Sequence, residues 1–588
     1  MRIDSIHIKG FRNFADCNIK LDSHALIVGE NDVGKSNLLY ALRLLFDPSF
    51  SSRDFELNDD DFNMPSESSE VVITVKVTNI NEGCLISIFK AAISDDRTVY
   101  IRFYQKKNDD YVFLTGPTLK ALEESSSRYY IKHLQMEYVG STRDLSHFLR
   151  RKQNRLLAEA RSQRSDEDEQ DDQTALASIQ EGMDRLNDQI NGLHYLSNSL
   201  NVVNKHMIEL SSINDGYQMR FVSGSTDAGM LVDNLKLAFL SGNAPLTFGG
   251  DGRRNQMYFA TWLSQQKLVP KNRREKIVFF AVEEPEAHLH PHQQRRLSEY
   301  LSLKLDTQIL MTTHSPQILA HFTNGTIIRL TKTSNLKSTK ALTCSTEIDE
   351  VLDNFGYRLN SITSEVFFSR GVLLVEGPSE VLLYTALSGA LGLDLDHLNL
   401  SIISVEGIGF KKYIDVCLDL EIPFVVRTDN DVFKVPKKKD DRKWYRYAGV
   451  ARAADLLANM PDDRISEEVR STIKHHETSL VWEGDCPTEQ NNKAADILTK
   501  LADDHDIHLA NKDLENDLAN GPLHDQLAEY YCEDDTEEIV KQMQERKAEN
   551  MYNFLKSKPN LFPLRADRVA RPLLALVRRI RNADLTEQ

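Results

Sequence analysis

The first residues alternate between apolar and polar, with Ile3, Ile6 and Ile8 marking a strand, and a second apolar segment at 25–28 runs straight into a glycine-containing loop. The spacing after that loop predicts a helix over Lys35–Phe46, and further strands are expected at 71–77 and 99–104. Apolar strands return at 277–282, 308–311, 372–375 and 424–426, each followed at once by charged or polar residues. Such an alternation predicts an α/β chain whose sites lie at the C-terminal ends of parallel strands. Between the two halves the pattern breaks near residue 150. A basic Arg-Arg-Lys stretch leads to Asp166, Glu167, Asp168, Glu169, Asp171 and Asp172, which reads as a solvated loop. Leu176, Ile179, Met183, Leu186, Ile190 and Leu193 then recur at spacings of three and four, the seam of a helical hairpin or coiled coil. That segment reads as an inserted helical arm suited to dimerisation.

A chain of 588 residues exceeds one ordinary hydrophobic core, so two or more domains are expected. No apolar run reaches a membrane-spanning length and the N-terminus lacks the apolar stretch of a signal peptide, so a cytoplasmic location is expected. The six cysteines form no Cys-x-x-Cys pair, which argues against a zinc knuckle or a disulfide framework. A net charge of −17 disfavours nucleic acid only if the charge is evenly spread. It is not: Lys556, Lys558, Arg565, Arg568, Arg571, Arg578, Arg579 and Arg581 crowd the C-terminal region.

Gly29-Glu30-Asn31-Asp32-Val33-Gly34-Lys35-Ser36 fits the G-x-x-x-x-G-K-[ST] phosphate loop, between a strand and a helix as that motif requires. Its glycines let backbone N–H groups face the phosphates, Lys35 can reach the β and γ oxygens, Ser36 can ligate Mg²⁺, and Asn37 follows on the helix. The strand at 277–282 ends in Glu283 and Glu284, a Mg²⁺-associated acid beside a group that can orient the attacking water. The strand at 308–311 delivers His314 toward a γ-phosphate.

A second set of carboxylates follows. The strand at 372–375 leads into Glu376, with Glu380 one helical turn on, and the strand at 424–426 leads into Asp429 and Asp431. Acids from two neighbouring strand ends suit hard Mg²⁺ or Mn²⁺ ions and two-metal phosphodiester chemistry. Lys434, Lys437, Lys438, Lys439, Arg442 and Lys443, with Trp444 and Tyr445, could hold a nucleic-acid backbone and stack on its bases.

On these motifs, residues 1 to about 345 resemble ABC-type ATPases of the Rad50, RecF and structural-maintenance class, which implies a phosphate contact for Arg12 in Gly10-Phe11-Arg12-Asn13-Phe14. Gly249-Gly250-Asp251-Gly252-Arg253-Arg254 resembles a degenerate signature motif that closes over a partner's ATP. Glu283 stands where that class has aspartate, and no Q-loop glutamine is evident near Gln135. Residues 366 to about 560 resemble the Toprim domain of OLD-family nucleases. The whole layout, with Leu514-Glu515-Asn516-Asp517-Leu518 and Lys547-Ala548-Glu549-Asn550-Met551, is similar to the class 2 members, above all those of the Gabija anti-phage system. The resemblance implies Glu376, Glu380, Asp429, Asp431 and Asp517 as metal ligands, with Glu515 secondary, Lys547 as a cation on the developing phosphate charge, and Gly407-Ile408-Gly409 as a turn between the acidic motifs. It further implies a tetramer, a helicase-like partner protein and nucleotide occupancy that restrains cleavage.

The expected layout is an ATPase head at 1–150 and 236–345, a helical insertion at 151–235, and a Toprim domain with a basic helical extension at 346–588. The expected function is ATP-regulated, Mg²⁺- or Mn²⁺-dependent cleavage of double-stranded DNA. An RNA-cleaving enzyme and a non-cutting ATPase clamp are the competing readings; a topoisomerase would need a nucleophilic tyrosine in a DNA-gate domain, which is not apparent.

Overall fold

The computed structural model describes residues 1–140, most of 157–201, residue 228, the short pieces 239–241 and 244–246, and 276–343 and 363–586. Isolated positions and the stretches 305–306, 334–337 and 436–442 within those ranges are not described. The chain divides into two compact units, one of residues 1–140, 276–286 and 291–588, the other of 141–275 and 287–290.

In the larger unit the N-terminal strands form an antiparallel sheet ordered Phe14–Lys20, Arg2–Phe11, Glu70–Thr78, Val99–Lys106, Val112–Gly116, Glu123–Ser125. Strict alternation explains it. Val99, Ile101 and Phe103 are buried while Tyr100, Arg102 and Tyr104 are partly exposed. A second sheet runs Thr339–Thr343, Thr326–Lys332, His24–Gly29, Ile309–Thr312, Ile277–Glu283, Leu134–Val139. It is parallel apart from the edge strand Thr339–Thr343, and its central strands His24–Gly29 and Ile309–Thr312 are buried throughout because both faces are covered. The predicted helix Lys35–Phe46 forms with those bounds and buries Leu38, Leu42 and Phe46 in a core shared with both sheets.

The C-terminal half builds a four-stranded parallel sheet ordered Leu400–Ser404, Gly371–Val375, Phe424–Thr428, Ile507–Leu509. Helix Pro378–Ala390 and the C-terminal helix Arg571–Thr586 cover it through a core that includes Leu383, Tyr384, Leu573 and Leu576. Arg568 donates to the Leu509 carbonyl at 2.7 Å and Arg579 to Asp506 at 2.6 Å, so part of the basic extension pins its own domain. A three-stranded antiparallel sheet, Val432–Val435, Trp444–Tyr447 and Val481–Glu483, branches off directly after Asp431.

In the smaller unit the acidic run at 166–172 is not a loop. It opens the 26-residue helix Asp166–Asn191, capped by a reciprocal Ser165–Asp168 box. Carboxylates concentrate in the first turn, where the helix dipole and unsatisfied N–H groups favour negative charge. Along the seam Met183 is buried and Leu176 and Ile190 are half-buried, whereas Ile179, Leu186 and Leu193 remain 39%, 53% and 45% exposed. The resembled signature motif at 249–254 lies outside the described residues. Among the described residues no helix is long and apolar enough to cross a membrane, and the five described cysteines are free thiols.

Candidate functional site

Two sites grow from the two parallel sheets. In the first, the adjacency of His24–Gly29, Ile309–Thr312 and Ile277–Glu283 brings the phosphate loop, His314 and the 283–286 acids to one sheet edge. The loop needs its glycines. Gly29 has φ 150°, and a Cβ there would lie 2.4 Å from the Leu330 carbonyl oxygen; Gly34 has φ 103° and packs on Asn13. Asp32, Arg12 and Glu284 also adopt positive φ although none is glycine, a strain that clusters around this loop. A cavity of about 360 Å³ is lined by Asn31, Lys35, Ser36, Asn37, Glu284 and His314, among others.

Lys35 folds its ammonium onto the carbonyls of Gly29 (2.9 Å) and Glu30 (2.6 Å). Ser36 donates to buried Glu283, whose other oxygen accepts from the Tyr138 hydroxyl. Arg12 reaches the cavity indirectly: it donates to Asp61 and to Asn37 Oδ1, both at 2.8 Å, and stacks 4.2 Å over the Tyr40 ring. His314 Nε2 lies 3.5 Å from Glu284, and burial together with the Lys35 charge lowers its pKa, which favours the neutral imidazole. The His314 backbone is fixed by its N–H donating to Glu286 at 2.7 Å. Gln135, the nearest glutamine to an expected Q-loop, instead donates to the Ile131 carbonyl.

In the second site, Gly371–Val375 and Phe424–Thr428 are parallel neighbours, so Glu376 and the Asp429–Asp431 segment leave the sheet side by side. Glu376 Oε1 accepts from the Asp429 N–H at 2.8 Å and from the Thr428 hydroxyl at 2.5 Å. Glu380, in the first turn of helix Pro378–Ala390, is buried, and Gly407 N–H donates to the Glu376 carbonyl at 2.9 Å. Ile408 of the glycine turn is not described. Across the site, Lys547 Nζ meets the buried Glu515 carboxylate at 3.1 Å. Burial opposes the Lys547 charge, but Glu515 and Asp429 outweigh it and hold its pKa up.

Burial dominates the electrostatics of the acids, against the nearby charges of Arg452, Arg427 and Lys547. Burial, with Glu376 and Glu380 nearby, pushes Asp429 up to about 8, and burial, with Glu515 and Glu376 adding to it against Arg427, pushes Glu380 up to about 7. Asp431 is raised too, by burial and Glu376. Asp429 Oδ1 is buried with no hydrogen-bond partner. Oxygen-only donors, among them the buried Glu380 and Asp429, fit a hard divalent cation. Among the described residues no three such side chains already converge as a preformed metal site. Arg452, from helix Ala448–Ala458, bridges Glu376 and Asp431 with its guanidinium.

Asp517 is engaged differently from its neighbour Glu515. Its Oδ2 accepts from Arg427 at 2.9 Å and its Oδ1 from the Asn511 N–H at 3.0 Å, and both ion-pair side chains are 1% exposed. Residues two apart on helix Leu514–Ala519 point to different sides, so Glu515 meets Lys547 while Asp517 meets Arg427. Of the basic stretch, Lys434 and Lys443 are described, whereas Lys437, Lys438, Lys439 and Arg442 lie outside the described residues. Tyr445 stacks on Trp482 at 6.0 Å and donates to Asp485.

A buried arginine links the strand beside the phosphate loop to the second parallel sheet. Arg329, one residue before the Leu330 that pairs with Gly29, donates to the Leu420 carbonyl (2.8 Å) and the Ser369 carbonyl (3.0 Å). These carbonyls lie just ahead of strands Phe424–Thr428 and Gly371–Val375. Arg370 and the loop residue Glu30 form a 3.6 Å ion pair.

A family model described as an AAA ATPase domain matches residues 1–138 and 117–319, and one described as an Overcoming lysogenization defect protein-like Toprim domain matches 367–431. The chain belongs to the AAA ATPase family and carries an OLD-like Toprim domain. Glu376, Glu380, Asp429 and Asp431 all fall inside the OLD-like Toprim match. The chain is 27% identical to Endonuclease GajA of Bacillus cereus (strain VD045) over 541 residues, 88% of this chain and 89% of that protein. It is 32% identical to the OLD nuclease of Thermus scotoductus over 177 residues, 28% of this chain and 33% of that protein. To the Old nuclease of Escherichia phage P2 it is 28% identical, over 27% of this chain and 28% of that protein.

Sequence reasoning missed Arg427 and Arg452. Arg427 carried a signal, a charge placed immediately inside the apolar strand that begins Phe424-Val425-Val426; Arg452 carried none.

Proposed function

We propose that this protein is a nucleotide-regulated, metal-dependent endonuclease that cuts double-stranded DNA in defence against phage. The observation that carries the reading is that Glu376, Glu380, Asp429 and Asp431 lie at or just beyond the ends of two adjacent parallel strands, with Glu380 and Asp429 buried. The likeness to a full-length endonuclease supports it.

A divalent cation, Mg²⁺ or Mn²⁺, held by these carboxylates would supply an activated water and charge compensation at the leaving oxygen. The chain's own groups do the rest. Glu376 is oriented by Thr428 and the Asp429 N–H, and Glu515 keeps the Lys547 ammonium aimed into the site, where it can meet a phosphate oxygen as negative charge builds. Asp517 acts as the counter-ion of Arg427 and so fixes the sheet beneath the acids. Lys434 and Lys443 add sequence-independent backbone contacts.

At the ATPase edge, Gly29, Asn31, Gly34, Lys35, Ser36 and Asn37 would cradle ATP, with Ser36 and Glu283 sharing its Mg²⁺, Glu284 and His314 facing the γ-phosphate, and Arg12 acting through Asn37. Regulation is supported by the Arg329 and Glu30–Arg370 contacts, which tie the phosphate loop to the starts of both acid-bearing strands. Adding ATP is expected to change the plasmid-cleavage rate of the wild type and to leave Lys35→Ala unaffected. An equal ATP response in both proteins would remove the nucleotide from the account.

We assign the division into ATPase head, helical insertion and Toprim domain to these functions, with heads paired in a dimer that assembles further to a tetramer beside a helicase-like protein. The exposed Ile179 and Leu186, one heptad apart on helix Asp166–Asn191, suit association with a second copy. Leu186→Lys is expected to lower the oligomer mass seen by light scattering; an unchanged mass would place the contact elsewhere.

A further inference from the structure

We propose that Arg452 is a positioning residue that holds the Toprim carboxylates before metal loading and passes to a substrate phosphate once a divalent cation displaces it. This rests on the metal-dependent nuclease reading above.

The local chain builds Arg452 into the site. Ala448 and Gly449 N–H groups donate to the Asp431 carbonyl at 2.8 and 3.2 Å, which fixes the start of helix Ala448–Ala458 directly against the acidic loop. Gly449 makes that approach possible, because a Cβ there would lie 2.3 Å from the Asp429 carbonyl oxygen and 2.5 Å from Asn430 Cα. One helical turn on, Arg452 points back to the loop with its side chain 12% exposed. Its Nη1 donates to Glu376 Oε1 and to the Thr428 hydroxyl, and its Nη2 lies 3.6 Å from Asp431 Oδ2. A single fixed cation therefore bridges the two acids that come from different strands.

A guanidinium does not deprotonate, so Arg452 keeps its charge and its attraction to these carboxylates until a stronger cation competes for them. Two cations cannot share Glu376 and Asp431 without repulsion, so an incoming divalent ion competes with Arg452. The displaced side chain remains tethered to a rigid helix at the edge of the site. A phosphodiester there offers it the bidentate geometry that guanidinium favours.

Two roles make opposite forecasts for metal affinity. If Arg452 competes, Arg452→Gln, which keeps an N–H donor but loses the charge, tightens Mn²⁺ binding about fivefold or more by calorimetry on metal-free protein. If Arg452 merely orients Glu376, the same variant weakens Mn²⁺ binding or leaves it unchanged, and the proposal is overturned. Arg452→Lys keeps the charge and is expected to bind Mn²⁺ as the wild type does; tightening in Arg452→Lys would also overturn it. In plasmid cleavage Arg452→Gln is expected to raise KM about tenfold, as loss of a charge-assisted contact to phosphate would. A KM equal to the wild type's would refute the handover to phosphate. Wild-type protein that neither binds Mn²⁺ nor cuts DNA would instead sink the nuclease reading itself.

Discussion

Asp517→Ala is expected to destabilise the metal-free protein by about 3–5 kcal/mol, because it leaves a fully buried guanidinium without its carboxylate. Arg427 and Asp517 are both 1% exposed, and Arg427 Nε and Nη1 are buried with no hydrogen-bond partner. Loss of Asp517 removes the charge that makes this burial tolerable. The double substitution Arg427→Met with Asp517→Leu is expected to recover much of the loss, since apolar side chains of similar volume need no compensation. Urea unfolding followed by circular dichroism, in chelator, separates this role from direct metal ligation. A ligand with no structural part would unfold like the wild type without metal and differ only when metal is added.

Glu376→Ala is expected to slow DNA cleavage by about a thousandfold or more, the scale seen when a group stabilising transition-state charge is removed from a preorganised site. Its carboxylate is the meeting point of the site. Oε1 takes hydrogen bonds from Thr428, from the Asp429 backbone and from Arg452, so truncation removes the proposed ligand and frees three donors that position its neighbours. Glu376→Gln, nearly the same in shape, is expected to fold normally and to be almost as inactive, because its neutral amide is a poor partner for a hard cation. A Gln variant with wild-type cleavage would mean that Glu376 is structural.

Much of this was legible from periodicity and strand-end chemistry. The strands carrying both sites are short apolar runs that end abruptly in charge, and helix Lys35–Phe46 formed where the spacing placed it. The acidic run at 166–172 was misread because clustered carboxylates look solvated in one dimension, while a Ser165 cap and the helix dipole make the same residues a helix start. Asp517 and Glu515 could not be told apart by sequence. Their roles diverge through the pitch of a six-residue helix and the positions of Arg427 and Lys547, which come from other elements. Arg452 was invisible for the same reason, since its importance depends on how closely Gly449 lets one helix approach one loop.

The most direct test of the central claim is conversion of supercoiled plasmid by the purified full chain in Mg²⁺, in Mn²⁺ and in chelator, with a matched RNA as competitor and Glu376→Ala alongside. Nicked or linear DNA that requires metal, resists the RNA competitor and vanishes in Glu376→Ala is the expected result. Cleavage that persists in chelator or in Glu376→Ala, or preferential loss of the RNA, would contradict the account.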